Sequence, residues 1–152
     1  MPQGTAELRK PERPQYVFDS FAWLAWFADE PGAAMVQTLL EKAQKDEVNI
    51  HVSWMNVSEV YYITARRSLD SDRHMAAKRA VEIIENLPVQ IHTVSKNEAL
   101  AAARFKADHA LSLADAFAAA LAQAHGAQIV TGDPEFQSLE KKPAVRILWI
   151  AR

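Results

Sequence analysis

The sequence of 152 residues contains no cysteine and only four glycines. Without cysteine, disulfide bonds, thiolate zinc sites and cysteine nucleophiles are excluded, and the composition fits a cytoplasmic setting. With so little glycine, few glycine-rich loops are possible, and neither G-x-G-x-x-G nor G-x-x-x-x-G-K-[ST] occurs. The serine-hydrolase pattern G-x-S-x-G and the zinc pattern H-E-x-x-H are also missing.

Long hydrophobic runs and a strong charge of one sign are missing as well. No stretch of about 18 apolar residues exists, so no membrane span is expected. The net charge of −2 gives no overall basic field toward nucleic acid, which leaves only a local basic patch. Residues 1–14 are polar, lack the apolar segment of a signal peptide, and are expected to form a flexible arm. Residues 15–152 have the length and composition of one folded domain.

Short apolar or alternating runs, typical of strands, alternate along the chain with segments of helical periodicity. This order predicts a single α/β domain in which helices flank a central, mostly parallel five-stranded sheet. The strands are predicted at 15–18, 48–53, 89–94, 128–132 and 145–150.

Four acidic residues are expected at the carboxyl edge of this sheet, where ligands bind in such folds. Asp19 follows the first strand, and Asp133 follows the fourth. Glu59 lies at the start of the helix after the second strand, and Asp115 lies in the first turn of the helix that leads into the fourth. Carboxylates so close repel one another unless a cation binds them. Oxygen ligands alone favour hard ions such as Mg²⁺ or Mn²⁺.

Helix capping explains each of these acids when it is considered alone. Spacing also cannot exclude Glu98, which follows a strand in the same way. The capping interpretations are Asp19 as an N-cap, Asn56 as an N-cap with Glu59, Ser95 with Glu98, Ser112 with Asp115, and Asp133 before Pro134.

The histidines and tryptophans have simpler interpretations. His51 and His92 fall on the polar side of their predicted strands, and the other three histidines fall on helix surfaces or ends, so no histidine metal site is predicted. The four tryptophans are expected in the core. The apolar run at 21–27 can serve a subunit contact instead.

Three segments in this order resemble PIN domains and, among them, the VapC-type ribonuclease toxins of bacterial toxin–antitoxin pairs. "YVFDSFAWLAWFADEPGA" resembles the first strand, acidic residue and helix of that family, and "NVSEVYYITARR" resembles its second acidic block. "HALSLADAFAAALAQAHGAQIVTGDPEF" resembles its L-x-D-A helix, followed by a strand that ends in [ST]-x-D. The resemblance covers about residues 16–150. The arm and the mildly acidic charge depart from the family's usual pattern without affecting the acids.

The resemblance implies a PIN-like fold and a metal-dependent endoribonuclease that hydrolyses RNA phosphodiesters. The family's acidic quartet falls on Asp19, Glu59, Asp115 and Asp133, as ligands of Mg²⁺ or Mn²⁺. Thr131 matches a hydroxyl position beside the last acid, and its removal should weaken activity more than stability.

The implied partners are the RNA substrate, a VapB-type antitoxin and a second copy of the chain. Glu98 is outside the quartet and remains a helix cap. Two alternatives stay open: a catalytically silent PIN-like module that binds RNA or antitoxin, and a phosphatase using Asp19. The latter lacks the usual D-x-D-x-[TV] pattern.

Overall fold

The computed structural model describes residues 12–141 and 145–151. The strands are β1 (Gln15–Phe18), β2 (Asn49–Ser53), β3 (Gln90–His92), β4 (Gln128–Thr131) and β5 (Arg146–Trp149). The helices are α1 (Ser20–Phe27), α2 (Ala33–Gln44), α3 (Trp54–Arg67), α4 (Arg73–Glu85), α5 (Lys96–Asp108), α6 (Leu113–His125) and a 3₁₀ helix (Pro134–Leu139). None of the helices in the described part is both long enough and apolar enough to span a membrane.

The five strands form one parallel sheet in the order β3-β2-β1-β4-β5, which confirms the predicted fold class. The chain moves outward from β1 to β3 and then returns to the other side of β1 with β4. Strand order therefore reverses between β1 and β4, where Phe18 pairs with Val130. In open α/β sheets ligands bind at the carboxyl ends of the strands at this reversal. Asp19 and Thr131 are the next residues along these two strands.

Each face of the sheet is covered by its own hydrophobic core. Phe18, Ile50 and Val130 pack on one face with the helices α1 to α4. Val17 and Ile129, which point the other way by strand alternation, pack with α6 and the 3₁₀ helix. Burial of both faces explains why consecutive residues of β1 (Val17 and Phe18) and of β4 (Ile129 and Val130) are apolar.

One of the predicted helix caps is wrong. α3 begins at Trp54, and its N-cap is Ser53, whose side chain accepts a hydrogen bond from the backbone N–H of Met55 at 3.1 Å. Asn56 is therefore not the N-cap, because β2 continues directly into α3 without a loop. Nearer the C-terminus, α6 is capped by Gly126, which has a left-handed backbone (φ 59°).

The tryptophans divide between core and surface. Only Trp23 is completely buried, whereas Trp26, Trp54 and Trp149 are half-buried. Trp26 donates to Gln37 Oε1 at 2.9 Å, so its ring covers the core while its polar edge meets the surface.

Most of the expected N-terminal arm, residues 1–11, lies outside the described residues. Next to β1, the Arg13 guanidinium lies 4.0 Å from the Asp46 carboxylate, and the Pro14 carbonyl accepts a hydrogen bond from the Asn49 N–H at 3.0 Å.

Candidate functional site

A chain of hydrogen bonds joins the carboxyl ends of β1 and β4. Asp19 is completely buried and caps α1, since its Oδ1 accepts from the Ala22 N–H at 2.9 Å. Its Oδ2 accepts a hydrogen bond from the Thr131 hydroxyl, which in turn accepts from the Asp133 N–H at 2.9 Å. The buried Thr131 hydroxyl thus fixes both acids, and Asp133 caps the 3₁₀ helix as predicted, through Glu135 N–H at 2.9 Å.

Asp115 reaches the same edge from the start of α6. Ser112 caps this helix, and its side chain accepts from the Asp115 N–H at 3.2 Å. In a complete capping box the Asp115 carboxylate would bind the Ser112 N–H in return. Here Glu135 Oε2 accepts that N–H instead, at 3.1 Å. The Asp115 carboxylate is therefore not used for capping and is available to the site.

Glu135 is a fifth acid that the sequence did not reveal. Carboxylate oxygens of Asp115, Asp133 and Glu135 all lie within 4.8 Å of one another. Its signal in the sequence is weak, because a second acid in a D-P-E turn usually faces solvent. Only the packing of the 3₁₀ helix against the start of α6 brings it to the site.

Glu59 lies at the margin of the acidic cluster. It is half-buried on α3, and its Oε2 accepts from the Tyr62 hydroxyl at 3.1 Å. Its charge acts on Asp19, but neither Glu59 nor Asp19 belongs to the group within 4.8 Å. The structure thus places Asp115 and Asp133 together, Asp19 beside them through Thr131, and Glu59 further out.

Buried hydrogen bonds connect three helices: α1, which Asp19 caps, α3, which contains Glu59, and α6, which contains Asp115. Asn56 Nδ2 donates to Ser20 Oγ at 3.1 Å and to the Ala114 carbonyl at 3.3 Å. Ser20 Oγ donates in turn to the Asn56 carbonyl at 3.3 Å. These bonds connect the starts of α1, α3 and α6, so Asn56 positions the site from within. Sequence reasoning had given Asn56 only a capping role.

Gly132 permits a close approach between the β4 end and α1. A Cβ at this position would lie 2.3 Å from Cε1 of the Phe21 ring, far inside contact distance. Glycine between Thr131 and Asp133 therefore lets the aromatic ring pack directly against the turn that presents both residues.

The two most buried acids hold their protons to unusually high pH. Burial raises the pKa of Asp19 from 3.8 to about 7, and the charges of Asp133 and Glu59 add to this, while the bonds from Thr131 and Ala22 oppose it. Burial likewise raises the pKa of Asp115 to about 9, followed by its contact with Glu135 and the charge of Asp133. The pKa of Glu135 is lowered, chiefly by the same Asp115 contact.

The donor set fits a hard divalent cation. Oδ2 of Asp115 is buried and has no hydrogen-bond partner in the described part of the chain. A buried carboxylate oxygen without a partner costs free energy, which a bound cation would offset. All the converging side chains offer oxygen, the ligand that Mg²⁺ and Mn²⁺ prefer. Asp19, Asp115 and Asp133 are the residues that would hold the ion, with Glu59 and Glu135 at the rim.

Basic side chains adjoin the acids on two sides. Lys106 donates to the Leu111 carbonyl at 3.0 Å, and its charge acts on Glu135. The Arg66 guanidinium lies over the Tyr62 ring, 5.1 Å from its centroid. Both side chains are exposed, as are those of Arg67 on α3 and Arg104 on α5.

Solved structures with a similar fold include members of toxin–antitoxin systems. VapBC2 from Rickettsia felis, bound to a DNA fragment from its promoter, has a TM-score of 0.66 at 16% identity and covers 88% of this chain and 97% of that one. VapC20 from Mycobacterium tuberculosis, a toxin that cleaves the sarcin-ricin loop, has a TM-score of 0.63 at 18% identity and covers 81% and 93%. VapBC-5 from the same organism has a TM-score of 0.60 at 16% identity and covers 90% and 98%.

The sequence was also compared with curated proteins and with models of protein families. A search of curated proteins found no match. The model described as PIN domain matches residues 16–142, which include Asp19, Glu59, Asp115, Thr131 and Asp133. Because this match covers most of the sequence, the chain belongs to the PIN-domain family.

Proposed function

We propose that the protein is a divalent-metal-dependent endoribonuclease of the VapC toxin type, neutralised by a cognate antitoxin. The observation that carries the proposal is the convergence of the buried Asp115 with Asp133, with the buried Asp19 joined to Asp133 through Thr131. Without a cation, such a cluster keeps two carboxyl groups protonated near neutral pH. Carboxyl groups whose pKa values are raised so far by burial and by one another are typical of functional sites, and a bound cation would stabilise their ionised forms.

Each residue of the site has a definite task. Asp19, Asp115 and Asp133 hold the cation, directly or through water, and Glu59 completes the quartet from α3. Thr131 orients Asp19 and Asp133 through its hydroxyl, and Glu135 keeps the start of α6 capped so that Asp115 remains free.

The cation, Mg²⁺ or Mn²⁺, supplies a polarised phosphate oxygen and a water of lowered pKa when it is bound. Asp19 and Asp115 must release their protons to bind it. Burial at the end of the sheet excludes bulk water from both side chains and strengthens their interaction with a cation. Attack by water on the RNA phosphodiester gives 5′-phosphate and 3′-hydroxyl products, as expected for the family.

A pocket next to Glu59 offers contacts for the RNA backbone and a base. It has a volume of about 200 Å³, and Tyr62, Arg66, Arg73 and His74 contribute to its lining. Arginine binds phosphate and aromatic rings stack with unpaired bases, so this pocket can hold RNA beside the acids. The positive side chains also offset the repulsion between RNA and the acidic edge.

An apolar groove between α1, α3 and α4 is a suitable position for an antitoxin helix. Leu24, Phe27, Ala28 and Thr64 are among the residues that line this volume of about 260 Å³. An amphipathic helix binds such a groove through its apolar face. The similarity to VapBC complexes favours an antitoxin as the occupant. The proposal also includes association of two copies of the chain.

Expression in a bacterial host, with and without the neighbouring antitoxin gene, tests the proposed function. We expect growth arrest by the wild-type chain alone, relief by the antitoxin, and no arrest by Asp133→Ala. Asp70→Ala, which changes an exposed acid outside the site, is the matched control and should still arrest growth. Arrest that persists in Asp133→Ala would refute the nuclease and support the silent binding module.

Thr131→Val should lower the rate of RNA cleavage by about 10–100-fold, the usual effect of losing a group that orients metal ligands. It leaves Asp19 Oδ2 and the Asp133 N–H without their partner, so we also expect a loss of about 1–3 kcal/mol in the free energy of unfolding. Cleavage assays with a fluorescent RNA and urea denaturation measure the two effects. Thr131→Ser keeps the hydroxyl and should stay within about threefold of wild type. A Thr131→Val variant that cleaves RNA at the wild-type rate, beside an impaired Thr131→Ser, would show that the methyl group, not the hydroxyl, is required.

A further inference from the structure

Three histidines from separate elements meet on the α6 side of the sheet. His51 in β2 is almost completely buried, at 3% exposure, His92 in β3 is half-buried, and His125 at the end of α6 is exposed. One ring nitrogen of each lies within 4.8 Å of the others. The polar side of β2 therefore faces α6 rather than solvent, which the alternation in sequence did not show.

Hydrogen bonds fix the tautomer and orientation of His51 in a way that suits a metal ligand. Gln15 Nε2 donates to the Arg13 carbonyl, which leaves Gln15 Oε1 to accept from His51 Nε2 at 2.7 Å. His51 therefore carries its hydrogen on Nε2 and directs the lone pair of Nδ1 at His92 Nε2, 2.8 Å away. An imidazole whose second nitrogen donates to a neighbouring oxygen is the usual arrangement of a metal-binding histidine.

The electrostatic surroundings also suit a cation. Burial lowers the pKa of His51 to about 4 and lowers the pKa of His92, so both rings are neutral at pH 7 and keep their lone pairs. His125 is the last residue of α6, where the helix dipole attracts positive charge. The charge of Glu98 acts on His92 in the same sense.

We propose that His51 Nδ1, His92 Nε2 and a ring nitrogen of His125 form a binding site for a divalent transition-metal cation such as Zn²⁺. Three imidazoles leave one tetrahedral position for water, and imidazole suits Zn²⁺, Ni²⁺ and Cu²⁺ rather than Mg²⁺. The site is separate from the acidic cluster, because Asp115 and His125 are ten residues apart on α6, a distance of about 15 Å. A bound ion would tie the three-residue edge strand β3 to α6.

Only small movements are needed for coordination. Two nitrogens bound to one tetrahedral Zn²⁺ lie about 3.3 Å apart, so His51 and His92 must separate by about half an ångström. The hydrogen on His92 Nε2 moves to Nδ1 as the ion enters. The His125 ring, now stacked on His51 at 4.2 Å between centroids, must turn, and its exposure at a helix end allows this.

Calorimetric titration with Zn²⁺ tests the site, using a chain without an added polyhistidine tag and with Mg²⁺ in excess. We expect one Zn²⁺ per chain, a rise in melting temperature on binding, and the same affinity in Asp133→Ala. His92→Gln and His125→Gln should each weaken binding by at least about 10-fold, and Gln15→Leu by about 10–100-fold. These positions avoid the almost completely buried His51, whose replacement can affect folding.

His74→Gln is the matched control, since His74 is exposed and lies outside the cluster. It should leave Zn²⁺ affinity unchanged. Absence of Zn²⁺ binding in the presence of Mg²⁺ would overturn the proposal. So would binding that Asp133→Ala abolishes, or that His92→Gln and His125→Gln leave intact.

Discussion

Asp19→Asn should reduce RNA cleavage by roughly 10³-fold or more and, at the same time, stabilise the metal-free protein. Asparagine has nearly the shape of aspartate: its Oδ1 can still accept from the Ala22 N–H, and its Nδ2 can donate to the Thr131 hydroxyl oxygen in place of the bond that Asp19 Oδ2 accepts. What it removes is the negative charge that holds the cation. Activity and stability should therefore change in opposite directions, which a merely structural role of Asp19 would not produce.

The gain in stability follows from the raised pKa of Asp19. A pKa of about 7 in the folded chain, against 3.8, means that ionisation above pH 7 opposes folding. A pKa shift of this size corresponds to a loss of at most about 4 kcal/mol in the free energy of unfolding. Relaxation of the structure around the buried charge should reduce this loss to about half. For a chain of this length we expect a melting temperature roughly 4–8 °C higher than wild type at pH 8.

Cleavage of a fluorescent RNA and thermal unfolding in the presence of a chelator measure both effects. Asp70→Asn, at an exposed acid outside the site, should change neither by more than experimental error. A variant that keeps about a tenth of the wild-type rate would remove Asp19 from the metal ligands. A variant that is inactive and also less stable would assign Asp19 a structural role.

The order of strands and helices along the chain was enough to predict the sheet and the edge where the acids meet. Asp19 and Asp133 follow apolar strands directly, and the parallel arrangement brings the ends of such strands to one edge. A residue can cap a helix and also belong to the acidic cluster. Asp19 caps α1 while its second oxygen binds Thr131, as expected for a carboxylate with several lone pairs.

Contacts between distant segments could not be predicted in the same way. The position of Glu135 in the site depends on the packing of the 3₁₀ helix against α6. The hydrogen bonds of Asn56 depend on three helices meeting at one point. His51 and His92 showed polar alternation, which cannot distinguish a solvent-facing side from a side covered by another helix. Such residues follow from tertiary packing, which local periodicity does not encode.

Stabilisation of the protein by Mg²⁺ or Mn²⁺ should increase steeply with pH. Between pH 4 and the raised pKa values of about 7 for Asp19 and about 9 for Asp115, the metal-free folded chain binds more protons than the unfolded chain. These groups therefore contribute stability that is complete below pH 3.8 and is lost as pH rises through 7 and 9. The lowered pKa of Glu135 opposes this loss only in part, because this side chain is exposed.

A cation that binds only the ionised carboxylates must displace these protons. Each proton displaced makes its apparent affinity about 10-fold weaker per pH unit below the pKa, or about 1.4 kcal/mol. The shift in melting temperature at a fixed Mg²⁺ or Mn²⁺ concentration should thus be small at pH 5.5 and large at pH 8.5.

Thermal unfolding across this range, with Ca²⁺-free buffers and a chelator-treated reference, measures the dependence. Asp115→Asn removes one of the two protons together with one of the ligands, so both the stabilisation by the cation and its dependence on pH should decrease. A cation effect that is equally large at pH 5.5 and pH 8.5 would contradict binding by the buried acids and would place the ion on the exposed Glu135 instead.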